Sequence, residues 1–289
     1  MLLSDQWKEY ELIDASNGEK LERWGKYILL RPDPQIMWDN GALRKKYAGK
    51  INAIYHRSSK GGGYWENLTK LPPTWEIHYK NLIFNVKQMG FKHTGLFPEQ
   101  AVNWDYMMQK IKNANREIKV LNLFAYTGGA SVACLAAGAK VTHVDASKGI
   151  VAICKENVVS SHLESRPIRY LVDDVIKFVK REIRRGNKYD AIIMDPPSYG
   201  RGSNGEVWDI EKDLKILVEL CEQILSEKPL FFIINCYTTG LSSTVLKNLL
   251  LTTVSKKYRG KVTNGEIGLP ITNSPLVLPC GIYGRWSND

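Results

Sequence analysis

The sequence has no apolar run near the roughly 18 residues that a membrane-spanning helix requires. Its most apolar stretch, Pro229-Leu230-Phe231-Phe232-Ile233-Ile234, has the length of a strand. It also lacks Cys-x-x-Cys and paired-histidine spacings: Cys134, Cys154, Cys221, Cys236 and Cys280 are odd in number and irregularly spaced, and His56, His78, His93, His143 and His162 are scattered. This pattern argues against a disulfide framework and against a zinc site, so no metal is expected. The opening residues Met1-Leu2-Leu3-Ser4-Asp5-Gln6-Trp7-Lys8-Glu9 carry acids where a secretory signal would carry its apolar core, which leads to the expectation of a cytoplasmic protein. Internal repeats, low-complexity segments and a basic tail are missing as well.

What is present is a 289-residue chain with 44% hydrophobic residues, enough for a well-filled core, and a net charge of +10. Such a charge suits a polyanionic partner, because lysines and arginines gain binding energy by releasing counterions from phosphates. The excess is spread along the chain, about +4 in residues 1–100, +2 in 101–239 and +4 in 240–289. A nucleic-acid surface would therefore have to be assembled by folding. The densest cluster, Lys177, Lys180, Arg181, Arg184, Arg185 and Lys188, reads either as RNA contact or as the solvated face of a helix.

Residues 1–89 are expected to form a small β-rich domain, with substrate recognition as its suspected role, and residues 90–289 a second domain. The first part is rich in tryptophan (Trp7, Trp24, Trp38, Trp65, Trp75) and in turn residues. Residues 26–31 read as a strand ended by Pro32, and 75–80 with 82–87 as a hairpin turning at Lys80-Asn81. Ser58-Ser59-Lys60-Gly61-Gly62-Gly63 reads as a flexible loop. The interleaved aromatic and basic residues suit base stacking, although the core of a small β domain uses the same aromatics and is the stronger expectation.

From Gln100 strands alternate with helical segments, the pattern of a doubly wound parallel sheet. A helix is expected at 101–113. Strands at 120–124, 140–145, 169–172, 189–194 and 230–235 alternate with helices at 130–137, 150–160, 175–185, 213–225 and 242–251. Val262 and residues 275–285 supply two further strands, which makes seven.

The turn Ala125-Tyr126-Thr127-Gly128-Gly129-Ala130 after the first of these strands fails the Gly-x-Gly-x-x-Gly spacing that a pyrophosphate needs. A ligand without phosphates, such as S-adenosylmethionine, needs only one close backbone approach and a few polar contacts. Asp145, 17 residues after Gly128, suits two ribose hydroxyls, and Asp173 or, preferably, Asp174 suits the adenine amine. The alternative for these acids is the helix N-cap. Ala125, Tyr126, Thr127, Gly128, Ala146, Ser147 and Asn157 complete the candidate cofactor set, and Phe97-Pro98-Glu99-Gln100 is a candidate pocket wall.

Asp195-Pro196-Pro197-Ser198-Tyr199 is the most specific short motif. Two prolines fix the backbone and leave carbonyl oxygens available to accept hydrogens from an exocyclic amine, while the tyrosine stacks on a base. Methyl transfer from a sulfonium depends mainly on holding the nucleophile in line. Cys236, directly after the fifth strand, is a candidate nucleophile toward C6 of a pyrimidine, against the alternative of an inert buried thiol.

These motifs resemble those of class I S-adenosylmethionine-dependent methyltransferases, in particular the branch of bacterial large-subunit ribosomal RNA cytosine-C5 methyltransferases. The resemblance covers about residues 90–240. It rests on Gly95-Leu96-Phe97-Pro98-Glu99-Gln100, residues 121–129, Val144-Asp145-Ala146-Ser147, Asp174 and the Asp195 loop. It implies a Rossmann-like seven-stranded α/β sheet beside the small β-rich domain and a pocket for S-adenosylmethionine, with S-adenosylhomocysteine as product. It further implies that Phe97, Gln100, Tyr126, Thr127, Asp145, Ala146, Ser147, Asp174 and Asp195 line that pocket, with the sulfonium near Asp195. The chain departs from the branch in two places. Residues 1–89 do not match its N-terminal RNA-binding domain, and Asn235-Cys236-Tyr237 stands where the branch has Ser-Cys-Ser. The leading expectation is a methyltransferase acting on a base in RNA, with ribosomal RNA foremost. A basic RNA-binding protein with a vestigial pocket, or a methyltransferase for protein or small molecules, is the alternative. A nicotinamide oxidoreductase is disfavoured by the missing glycines.

Overall fold

The structure, a computed structural model, describes residues 1–58, 62–202, 205–237 and 240–288. It divides into unit 1, made of Met1–Leu2, Val102–Ile267 and Gly281–Asp289, and unit 2, made of Leu3–Ala101 and Gly268–Cys280. The division thus falls at Ala101 rather than at residue 89, and a segment distant in sequence joins the N-terminal part.

After the two-residue strand β1 (Leu2–Leu3), unit 2 is built from β2 (Tyr10–Ser16), β3 (Glu19–Trp24), β4 (Tyr27–Pro32), the short helix α1 (Leu43–Lys46), β5 (Ala53–Arg57) and β6 (Gly63–Asn67). These five strands, β2 to β6, form one sheet in sequence order. Only the β4–β5 pairing is parallel. The expected hairpin is present as β7 (Trp75–Tyr79) and β8 (Leu82–Val86), turning at Lys80, whose φ is 54°. The glycine loop expected at Ser58–Gly63 lies partly outside the described residues, and Gly63 already belongs to β6. Several aromatics of this unit are core: Trp24, Tyr10 and Tyr79 are buried, and the Trp24 ring is met edge-on by Tyr10 at 4.8 Å.

Beside Trp24 lies a buried ion pair. Arg31 donates to both oxygens of Glu22, at 2.6 and 2.7 Å, and the Tyr10 hydroxyl donates to the same carboxylate at 2.8 Å. Burial alone would raise the Glu22 carboxyl, but the charges of Arg31 and Lys20 and these hydrogen bonds overcome it and hold the group at about 2.

Unit 1 follows the expected alternation. It comprises α2 (Ala101–Asn113), β9 (Lys119–Leu123), α3 (Gly129–Ala136), β10 (Lys140–Asp145), α4 (Lys148–Ser160), β11 (Ile168–Val172), α5 (Val175–Arg185) and β12 (Ala191–Met194). A small hairpin, β13 (Tyr199–Arg201) with β14 (Val207–Asp209), precedes α6 (Ile210–Gln223). Then come β15 (Phe231–Cys236), α7 (Ser243–Thr252), α8 (Val254–Lys257), β16 (Lys261–Pro270) and β17 (Val277–Ser287). The large sheet runs β1-β16-β17-β15-β12-β9-β10-β11. It is Rossmann-like with eight strands instead of seven, because β1 is too short to betray itself by alternation. Strands β9, β10, β11, β12 and β15 are mutually parallel, and β17 returns antiparallel to β15.

Strand β12 is apolar throughout, and β9, β10 and β15 are buried over nearly their whole length, because helices cover both faces of the sheet. On one face Leu121, Leu123, Ile192, Met194, Phe232 and Ile234 pack with Phe178, Leu214, Leu217 and Leu246. Helix α5 shows why its limits were readable: Asp174 caps its first turn and Gly186 ends it with φ of 69°. Strand order reverses between β9 and β12, so a crevice is expected outside their carboxyl ends.

Replacing Glu22 by Gln leaves the Arg31 charge buried without its partner, which is expected to cost about 3–5 kcal/mol. Because the folded carboxyl titrates below its ordinary value, its contribution is complete above about pH 4.5 and is lost as pH falls toward 2, by about 3 kcal/mol. Urea unfolding at pH 7, 4 and 3 should show the wild type losing more stability than Glu22→Gln. Equal losses would contradict the assignment.

Candidate functional site

The turn after β9 is held by packing. Phe124 and Tyr126 both have left-handed backbone, φ 52° and 51°, and Gly128 follows at 85°. Such conformations in non-glycine residues are costly and collect at functional positions. A Cβ added to Gly128 would meet Cys154 Sγ at 2.2 Å, and one on Gly129 would meet the Trp104 ring at 2.6 Å. The glycines therefore allow close approach of the turn to α4 and α2. From α4, Asn157 donates its amide to the Thr127 carbonyl at 2.9 Å. Asn157 is fully buried and braces the turn from beneath, as does Thr127, which is itself buried. A second brace is the buried set Asn122, Ser131, His143 and Cys154. Asn122 donates to Ser131 Oγ at 3.0 Å, and Ser131 Oγ and Cys154 Sγ lie 2.9 and 3.5 Å from His143 Nδ1. Burial pushes this imidazole down to about 4, so it is neutral at physiological pH.

At the end of β10, Asp145 accepts from the Tyr126 amide at 2.9 Å through one oxygen and from the Ser147 amide at 2.9 Å through the other. The first bond holds the left-handed Tyr126 in place. Each oxygen keeps a lone pair for a further donor. Burial raises the Asp145 carboxyl, and the two amide bonds oppose that rise. Ala146 and Ser147 are exposed, and Ser147 caps α4. Ala125 is buried, with its amide on the Val144 carbonyl.

The acids after β11 have partners of their own. Asp174 caps α5, accepting from the Lys177 amide at 2.8 Å, and Asp173 pairs with Arg181. The helix-cap role considered for Asp174 is thus realised, and it leaves the second carboxylate oxygen outside the cap. Three of the six cations of the basic cluster are paired: Lys177 with Glu206, Arg181 with Asp173, and Arg185 with the buried Glu182. Those pairs favour the solvated-face reading of that cluster.

At the end of β12, burial pushes the Asp195 carboxyl up to about 6. Pro196 is buried, whereas Pro197, Ser198 and Tyr199 are exposed. Two carbonyls expected to be available are used internally: Pro197 accepts from the Trp208 indole at 2.7 Å, and Ser198 from the Ile210 amide at 3.1 Å. Prolines remove donors, but they do not stop a neighbouring element from using the acceptors. Trp208 also meets Phe124 edge-on at 4.7 Å. It ties the loop after β12 to the end of β9, and sequence reading missed it because a tryptophan in a long polar segment looks like a loop residue.

Cys236 ends β15 on the face of Phe232 and Ile234, within the apolar core, at 1% exposure. Burial, and then the charge of Asp195, raise its thiol. These are the surroundings of a packing residue, since a reactive thiol needs a depressed pKa and access. Phe97 and Gln100 belong to unit 2, at a 3-10 turn whose Pro98 carbonyl accepts from Ser4 Oγ at 2.7 Å and the Trp7 indole at 2.9 Å.

Parallel pairing places Asp145, the Asp173–Asp174 pair and Asp195 along one edge of the unit 1 sheet. With strands spaced about 4.8 Å apart, Asp195 and Asp145 stand on the order of 10 Å from each other across β9. An edge lined by carboxylates repels a pyrophosphate and suits a cationic ligand with hydroxyl and amine donors. The residues present therefore fit S-adenosylmethionine, and no cluster of three or more metal-ligating side chains occurs among the described residues.

Gly128→Ala should cost about 3 kcal/mol or more, from the left-handed backbone and from the clash with Cys154. Adding Cys154→Ala removes only the sulfur clash, so the double variant should recover part of the loss in chemical denaturation. Strictly additive losses would contradict the packing account of the turn.

A family model described as S-adenosylmethionine-dependent methyltransferase matches residues 47–254. The ribosomal RNA large subunit methyltransferase K/L of Pseudoalteromonas atlantica is 31% identical over 232 residues, 73% of this chain but 32% of that protein. The ribosomal RNA large subunit methyltransferase I of Erwinia tasmaniensis is 28% identical over 306 residues, 98% of this chain and 74% of that one. The chain thus spans about a third of the first relative's length and about three quarters of the second's. The crystal structure of the SAM dependent methyltransferase from Agrobacterium tumefaciens superposes with a TM-score of 0.93 at 36% identity, covering 100% of this chain and 93% of that chain. With most of its length matched by the family model, the chain belongs to the S-adenosylmethionine-dependent methyltransferases.

Proposed function

We propose that the protein transfers a methyl group from S-adenosylmethionine to a base in RNA, with ribosomal RNA as the first candidate. The observation that carries this reading is the carboxylate-lined edge at the strand reversal, closed on one side by the Asp195-Pro196-Pro197 loop. The net charge of +10 and the ribosomal RNA methyltransferases among the relatives support an RNA acceptor. Asp145 takes the ribose, the outward oxygen of Asp174 takes the adenine amine, and Tyr126, Ala146 and Ser147 border the ligand. We assign residues 1–89 to RNA recognition. The absence, among the described residues, of any helix long and apolar enough to cross a membrane is compatible with a cytoplasmic enzyme.

When bound, the cofactor supplies an electrophilic methyl group on a cationic sulfur. The chain's part is to hold the acceptor in line, exclude water and take a proton. The Asp195 carboxyl, raised to about 6 by burial, is set to accept a hydrogen from an exocyclic amine, and the exposed Tyr199 ring offers a stacking surface. We read the acceptor as an amine nitrogen rather than cytosine C5, because the buried, raised Cys236 thiol lacks the properties of a nucleophile.

Calorimetry with S-adenosylhomocysteine should give clear binding to the wild type and at least a tenfold weaker constant for Asp145→Ala. Unchanged affinity in the variant would remove Asp145 from the ligand. For methyl transfer, kcat/KM should rise with pH through about 6 and level off, since only the ionised carboxylate accepts. Asp195→Asn should flatten that profile and lower the plateau roughly 100-fold or more, and a wild-type profile in the variant would exclude Asp195 as the acceptor.

A further inference from the structure

Unit 2 carries a strained bend that the cofactor site does not explain. At Gly90–Lys92, Phe91 has φ 56° and ψ 37°, and Lys92 has φ 67°, two successive non-glycine residues in the left-handed region. Isolated residues of this kind are uncommon, and adjacent ones persist only when surrounding structure over-determines them. Here the Met89 amide donates to the His93 carbonyl at 2.9 Å, and the Trp65 indole of β6 donates to the Met89 carbonyl at 2.9 Å. Gln88 donates to Asn67 at 2.6 Å. The bend is thereby strapped to β6, and the strain holds Phe91 outward at 73% exposure.

The cations beside the bend are buried or half-buried except for Arg57. Lys92 Nζ donates to the Pro32 carbonyl at 3.0 Å, and Arg31 donates to the Lys92 carbonyl at 2.8 Å. Arg57, exposed at the end of β5, pairs in register with Gly63, whose neighbour Gly62 lies beside the Phe91 ring. Burial pushes the Lys92 ammonium down to about 8, the Lys20, Arg31 and Arg57 charges push the same way, and Asp33 opposes them. Arg31 is buried on Glu22, Lys20 pairs with Asp33 at 3.1 Å and the Lys92 ammonium is turned to the Pro32 carbonyl, so the exposed Arg57 is the cation offered to a phosphate, and with the Phe91 ring it matches a nucleotide whose base lies against the ring.

We propose that the Gly90–Lys92 bend is a binding point for single-stranded RNA, with Phe91 stacking on a base and the exposed Arg57 facing its phosphate. The proposal rests on the RNA reading of the preceding section and adds to it a defined surface in unit 2. The site is sequence-tolerant, because every base presents a stacking face, and its cationic part is salt-dependent.

The test is fluorescence anisotropy with a labelled, mixed-sequence 15-nucleotide single-stranded RNA at 50 and 200 mM KCl. Phe91→Ala is expected to weaken binding about 5- to 20-fold at both salt concentrations. Arg57→Gln should weaken it mainly at low salt and reduce the slope of log affinity against log salt by about 0.7. Phe91→Asn separates function from folding: asparagine tolerates the left-handed conformation, so its thermal midpoint should rise while RNA affinity falls. If the wild type binds this RNA and Phe91→Ala and Arg57→Gln bind equally well, the bend is overturned while the RNA reading stands. If the wild type binds S-adenosylhomocysteine but neither this RNA nor total ribosomal RNA, the RNA reading fails and takes the bend with it.

Discussion

The hydrogen bond from the Tyr126 amide to Asp145 is the constraint on which the site depends. It joins the turn after β9 to the carboxyl end of β10 and helps hold a backbone conformation that an isolated chain would rarely adopt. Around it the turn is fastened on each side, through Gly128 to Cys154, through Gly129 to Trp104, and through the Thr127 carbonyl to Asn157. One carboxylate therefore shapes the turn while keeping acceptor capacity on both oxygens. The cost of burying it is met by two backbone amides in place of a cationic side chain, which leaves this edge negative.

The charge of that edge explains the choice of cofactor class. A dinucleotide site draws its anion to a helix N-terminus by glycine-rich backbone. Here the glycines are occupied with helix packing, and Asp145, Asp174 and Asp195 follow three parallel strands of the sheet. The Asp195 loop repeats the principle of the first turn. Its geometry comes from two prolines and from the Trp208 indole, so the side chain is positioned by groups that need not react.

Much of this was legible in sequence, for identifiable reasons. Strand β10 and helix α5 have the expected limits because Asp145 precedes a capping serine and because Asp174 and Gly186 delimit α5 chemically. The β13–β14 hairpin was hidden by its polar composition and three-residue strands. The membership of Gly268–Cys280 in unit 2 was invisible because local pattern carries no information about pairing between distant segments. The direction of Cys236 was readable from alternation, since Phe232, Ile234 and Cys236 share one face of β15, yet its position at a strand end drew attention to the crevice instead. The N-terminal aromatics divide by residue: Trp24, Tyr10 and Tyr79 fill the core, while Tyr64 and Phe91 stay outside.

The most direct test of the account is the transfer itself. RNA from a strain deleted for this gene should be incubated with the protein and S-adenosylmethionine labelled in its methyl group, then digested and resolved by nucleoside mass spectrometry. The account predicts label in one nucleoside, on an exocyclic amine, in ribosomal RNA and not in the same RNA from the parent strain. Label on cytosine C5 would contradict the role given to Asp195 and the inert reading of Cys236, and the absence of label from RNA, with label in protein or small molecules, would contradict the account as a whole.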